Sequence, residues 1–145
     1  MTTNTTISCQ IGTTDASAAL GLEVWIDDQK FFETDHVHVA EKISIELPED
    51  ESDHELRFVM KNKTTNHTQI NEQGDIIADA TLTITELAFD EIKLENIVTE
   101  QAVYIHDFNG TGQLIQDKFY SEMGCNGTVS LKFSTPIYLW LLEHM

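Results

Sequence analysis

The 145-residue chain sets 25 aspartates and glutamates against 8 lysines and arginines, a formal net charge of −17, with 41% apolar residues. That length can bury a substantial core without disulfide or metal staples, so one domain over residues 1–145 is expected, and the apolar content excludes simple disorder. The charge argues against nucleic acid and anionic membranes as direct partners, since both would repel a soluble, self-repelling surface of this kind.

From the start, Ile7, Cys9 and Ile11 alternate with polar residues and predict a first strand over Thr5–Ile11. MTTNTTIS lacks the basic and apolar segments of a secretory signal, and Cys9 and Cys125 match no metal spacing, so two free buried thiols are expected. Leu22, Val24 and Ile26 alternate with Glu23, Trp25 and Asp27, which makes a half-buried strand with one large aromatic on its polar face. A turn at Asp28-Gln29 would fold Leu22–Glu33 into a hairpin. His36 and His38 flank Val37 on a further strand, and Ile43, Ile45 and Leu47 mark the next, ended by Pro48. The acidic run Glu49–Asp53 reads as a solvated loop, after which Leu56, Phe58 and Met60 alternate again.

In Ala78–Leu94 the alternation of Ala80, Leu82 and Ile84 breaks at Glu86 and resumes one residue out of phase with Leu87 and Phe89. A one-residue slip sends every later side chain to the opposite face, so the chain must bulge, turn or change sheet there. A bend at Asp90-Glu91 follows, and Ile97–Tyr104 is expected to be extended. The glycine-rich 107–127 stretch predicts a long loop around a short Leu114–Tyr120 element, and Val129, Leu131 and Phe133 form a last alternating strand. Beyond Pro136, Ile137–Leu142 is apolar on both faces, which in a terminal strand predicts a central sheet position or a homo-oligomer contact. That run is too short to cross a membrane. Short strands separated by turn signals, with almost no amphipathic helix, predict an all-β antiparallel sandwich of jelly-roll type.

Three constellations carry possible chemistry. His36 and His38 project from one side of a strand, a spacing used by barrel metal sites, or are simply its outward residues. Asp107, Asn109 and Thr111 precede Gly112 as in a calcium loop, but the twelfth position is Lys118, with Asp117 one place earlier as a substitute. The segment is thus either a Gly-Asn turn or a calcium site built on Asp107, Asn109 and Asp117. Trp25 beside Glu23 and Asp27 offers a flat platform with carboxylates that accept sugar hydroxyls, or else it faces a loop or neighbouring subunit. No nucleophile elbow, phosphate loop, dinucleotide fingerprint or His-Glu-x-x-His helix is present, so an enzyme is not expected.

The stretches LEVWIDDQKFF, HELRFVMKNKTTNHT and ADATLTITELAFDEIKL together resemble the calcium-dependent xylan-binding carbohydrate-binding modules. The C-terminal MGCNGTVSLKFSTPIYLWLLEHM resembles uncharacterised structural proteins of marine T4-like tailed phages. The resemblance implies a non-catalytic β-sandwich in a phage particle, binding glycan or a neighbouring virion protein, and found in the virion or the bacterial host cytoplasm. Only Asp107 and Asn109 match as candidates for the modules' calcium ligands. Two other classes stay open: a small cupin-like metalloenzyme using His36 and His38, and an assembly protein without ligand.

Overall fold

The computed structural model describes residues 4–14, 19–37, 40–62, 68–70, 72–73, 76–94, 96–106, 114–124 and 126–144, with backbone alone for 68–70 and 76–79. Two antiparallel sheets form the expected sandwich. The first runs Glu122–Met123 (β12), Leu82–Phe89 (β8), Asn4–Thr13 (β1) and Glu41–Pro48 (β4), with Ile92–Lys93 (β9) on the end of β8. The second runs Ile115–Lys118 (β11), Val103–His106 (β10), Gly127–Ser134 (β13), Asp53–Lys61 (β5), Gly21–Ile26 (β2) and Gln29–Thr34 (β3). Thr68–Ile70 (β6) and Ile76–Asp79 (β7) pair as a separate ribbon.

The alternation read from the sequence holds in the strands. Ile7, Cys9 and Ile11 of β1, Ile43, Ile45 and Leu47 of β4, Leu56, Phe58 and Met60 of β5, and Val129, Leu131 and Phe133 of β13 all point into one apolar cluster. The phase break in β8 is a β-bulge. Ser8 faces Ala88 while Gln10 faces Thr85, so Glu86 and Leu87 together oppose Cys9, and Glu86 takes a left-handed φ of 55°. Thr85 and Glu86 are therefore both exposed, and Leu87 and Phe89 return to the core without leaving the sheet. Asp90 and Glu91, at φ 52° and 69°, then make the tight turn into β9.

Several expectations are corrected. The turn after β2 is Asp27-Asp28, one residue early, with Ile26 paired to Gln29. Asp27 sits at φ 55°, which an aspartate tolerates better than most side chains. Residues 36 and 37 lie outside any strand, and 38–39 are outside the described residues, so the expected His36–His38 strand does not form over its described part. Asn96–Gln101 is a short helix (α1) rather than extended chain, buried through Ile97, and β10 follows it.

The largest correction is at the end. Ile137–Leu142 is not a terminal strand but part of an α-helix, Ile137–His144 (α2). Ile137, Trp140 and Leu141 lie at helical spacing on the buried side, while Tyr138, Leu139 and Leu142 are exposed. A run apolar at every position carries no period, so strand and helix could not be told apart from it. Trp140 is consequently a core residue at 5% exposure, packed on Phe89 and Phe133 at centroid distances of 5.7 and 6.4 Å. Among the described residues no helix is long and apolar enough to cross a membrane.

Candidate functional site

Cross-strand register builds the first cluster, on the outer face of the six-stranded sheet. Trp25 of β2 pairs with Lys30 of β3 on one side and Arg57 of β5 on the other. Both cations lean over the indole, each 5.7 Å from its centroid. The indole N–H donates to Glu23 Oε1 at 2.8 Å, which fixes the rotation of a half-buried ring. Lys61 donates to Glu23 Oε2 at 3.1 Å and to Glu33 at 2.8 Å, and pairs with Asp35 at 3.2 Å. Hydrogen bonds from Lys61 and then Lys30 hold the Glu33 carboxyl down to about 2, and the same carboxylates raise Lys61 above the ordinary lysine range. Glu23 therefore orients the platform and is itself engaged.

A second cluster lies at the adjoining end of the sandwich, and it consumes the third predicted residue. Asp27 Oδ2 meets His54 Nδ1 at 2.7 Å, and Asp27 Oδ1 accepts the Glu55 amide at 2.9 Å. His54 Nε2 meets Asp50 Oδ1 at 2.9 Å, and Asp50 also accepts the hydroxyls of Ser52 at 2.6 Å and Thr135 at 3.1 Å. The acidic run 49–53 is thus not simply a solvated loop: Glu49 accepts from Thr5 Oγ1 at 2.6 Å and from the α2 amide of Ile137 at 3.4 Å. Burial of the His54 ring disfavours its charge, but the bonds to Asp27 and Asp50 and their negative charges outweigh that, and its pKa is raised above 6.5. Hydrogen bonds from Ser52, then from His54, hold Asp50 well below the usual carboxylate range.

Ser52 Oγ lies 3.2 Å from His54 Nε2 with Asp27 on the other ring nitrogen, the order of a nucleophilic triad. Asp50 disarms it. It binds the same Nε2 and takes the Ser52 hydroxyl, so the ring nitrogen keeps its proton and has no lone pair for the serine. Burial pushes the Cys9 thiol up to about 12, leaving too little thiolate for chemistry.

An open cleft of about 690 Å³ lies at the second cluster, lined by Asp27, His54, Glu55, Lys132, Trp140 and His144 among others. Glu55 and Lys132 are register partners one row beyond Arg57 and Ser130, so two residues of the cleft border the row that holds Trp25. Lys30, Arg57, Glu55 and Lys132 were not singled out from sequence. Alternation shows which face each occupies, but only the register puts Lys30 and Arg57 beside Trp25 and Glu55 and Lys132 one row further on.

The calcium candidates are located in part. Asp117, on the edge strand β11, has Oδ2 2.8 Å from His106 Nε2, while Asp107 and Asn109 lie outside the described residues. Among the described residues no three His, Cys, Asp or Glu side chains converge as a metal site would require. His36 forms a local turn, its amide donating to Thr34 Oγ1 at 3.3 Å, and His38 is outside the described residues.

No protein-family model matches the sequence, and no curated protein matches it. Among solved structures, the chain is similar to vCBM60, described with the calcium-dependent carbohydrate-binding modules. The TM-score is 0.57 at 9% identity, over 88% of this chain and 89% of that one. It is also similar to vCBM60 in complex with galactobiose, at TM-score 0.53 and 9% identity, over 87% of this chain and 96% of that one. The fold of this chain is therefore that of a β-sandwich also used by carbohydrate-binding modules.

Proposed function

We propose that this protein is a non-catalytic carbohydrate-binding module whose sugar platform is Trp25. The observation that carries the reading is the indole itself, half-buried on an outer sheet face, its rotation set by Glu23, with a polar cleft reached one row further on at Glu55 and Lys132. Carbohydrate sites combine such a flat apolar face with convergent hydrogen-bonding groups. Lys30 is 37% exposed and its contact with the ring is worth about 0.5–1 kcal/mol, so a stacking sugar displaces it at small cost. Asp27 acts here mainly by holding the β2–β3 turn, with Glu55 and Lys132 as the groups open to hydroxyls. The fold likeness to vCBM60, whose complex holds galactobiose, supports the class of ligand.

Calcium is the metal this reading calls for, with Asp107, Asn109 and Asp117 as its ligands; Asp117 would have to share its carboxylate with His106. The resemblance of residues 123–145 to tailed-phage structural proteins supports a place in a virion, reached from the host cytoplasm. There the exposed Tyr138, Leu139 and Leu142 would meet a neighbouring virion protein or a second copy. Mass spectrometry of purified particles tests the location, and light scattering at high micromolar concentration tests self-association.

The decisive experiment is calorimetric titration of an oligosaccharide panel, with calcium and with chelator, into the wild type and Trp25→Ala. Binding lost in the variant while its melting temperature stays near wild type supports the reading. No binding by the wild type in either condition removes it.

A further inference from the structure

Resting on the carbohydrate-binding reading, we infer that the ligand is an acidic glycan, a chain bearing carboxylates such as a polyuronate, laid across the outer face of the six-stranded sheet. The argument is the distribution of charge. Of the 8 lysines and arginines in the chain, five occupy outward positions on this one face: Lys30, Arg57, Lys61, Lys118 and Lys132. Lys42 and Lys93 belong to the other sheet, and Lys63 lies outside the described residues. Outward carboxylates on the strands of this face are Glu23, Glu33, Asp53 and Glu55, and Asp35 just past β3 joins them at Lys61, so five cations meet five anions in a molecule of net charge −17.

Within the face the balance is uneven along one row. Register aligns Lys30, Trp25, Arg57, Ser130, Val103 and Lys118 across six neighbouring strands. Lys61 is saturated by Glu23, Glu33 and Asp35 at the β2–β3 side. Lys118 and Lys132, toward the other side, are exposed and form no ion pair among the described residues. Between them and Trp25 lie Arg57, ion-paired to Glu55 at 3.5 Å, and then a small or apolar stretch, with Ser130 and Val103 half-buried and Ile105 40% exposed.

A sugar stacked on Trp25 places the next residues of its chain over Arg57 and then toward Lys132 and Lys118. Strands stand about 4.8 Å apart, so these charges recur over roughly 20 Å, which is the reach of a linear oligosaccharide and not of one sugar. The carboxylates of the opposite layer face solvent on the far side of the sandwich, farther from a ligand on this face than the lysines beneath it by at least the sheet-to-sheet distance of about 10 Å. A polyuronate also carries its charge far more sparsely than duplex DNA, at one per about 1.7 Å of axis, so the net charge that repels nucleic acid does not exclude it.

The test is an array of neutral and uronate-bearing oligosaccharides, read with the full chain in calcium and in chelator, followed by titration of a pentameric oligogalacturonate and its carboxyl-reduced counterpart. Hits concentrated among acidic glycans are expected. The acidic pentamer should bind about threefold to tenfold tighter than the reduced one, the scale of one or two exposed charge contacts. That ratio should fall toward one in the Lys118→Ala/Lys132→Ala double variant, with its fold checked by circular dichroism. It should also fall in the wild type between 50 and 200 mM salt, roughly the range over which exposed charges become screened. The salt series serves if the double variant does not fold. Equal or tighter binding of the neutral pentamer overturns the inference and leaves the carbohydrate reading standing. An acidic preference that survives both the double variant and the salt series also overturns it for this face. An array with no hits removes the carbohydrate reading, and the inference with it.

Discussion

The two tryptophans lie in regions built from the same parts and put to opposite uses. Around Trp25 the partners are a carboxylate on the indole N–H and two permanently charged cations over the ring, all on a half-exposed sheet face. Around Trp140 the ring is buried against Phe89 and Phe133. His144 packs on the indole at a centroid distance of 4.6 Å, and a second histidine, His54, lies against Phe133 at 5.5 Å and is clamped between Asp27 and Asp50. An aromatic with charges around it can bind a ligand only if its face can be reached. At the end of the sandwich the same ingredients hold α2 and two loops in place.

The largest effect separating the regions should come from Trp140→Ala. Loss of a buried aromatic should cost about 3–5 kcal/mol in denaturant unfolding, whereas Trp25→Ala should stay within about 1 kcal/mol. Comparable losses from the two variants would break the contrast. His54→Gln comes next. Leaving Asp27 and Asp50 without their cation should cost about 1–3 kcal/mol, less than a fully buried pair because both carboxylates are about half exposed.

The His54 loss should depend on pH in a stated direction. The folded pKa of His54 is raised above its ordinary 6.5, so its contribution is complete below 6.5 and disappears as pH rises through the folded value. Asp50 is lowered from 3.8, so its contribution is present above 3.8 and is lost only as strong acid protonates it in the fold. The stability gap between wild type and His54→Gln should therefore be widest between 3.8 and 6.5 and shrink above. A gap that stays flat from acid to alkaline pH would mean that the ring carries no charge in the fold. Lys61→Ala should give the smallest change in stability, because its carboxylates are partly exposed and screened. Its effect should appear instead as a looser Glu23 and weaker glycan binding.

Much of the scaffold was legible because burial in a sheet writes itself at period two. Ile7, Cys9 and Ile11, or Leu56, Phe58 and Met60, state which face is inward without reference to anything else. The break at Glu86 was legible for the same reason, as a bulge is a shift of that period. The candidate site was legible only as Trp25, Glu23 and Asp27. Asp27 does not stand open beside the indole. Its carboxylate turns to His54, 27 positions away in sequence, and no local pattern announces such a contact.

By itself, then, the sequence determined an acidic all-β sandwich, the inward face of its strands and the position of one outward aromatic, since each follows from composition or from neighbours along the chain. Tertiary structure decided three other things. It made Ile137–Leu142 a helix, because an all-apolar run has no period and takes its form from the surface it covers. It buried Trp140 in the core and left Trp25 half-buried at the surface. It also gathered five scarce cations onto one face of a molecule of net charge −17, because register between distant strands, invisible along the chain, sets which charges become neighbours.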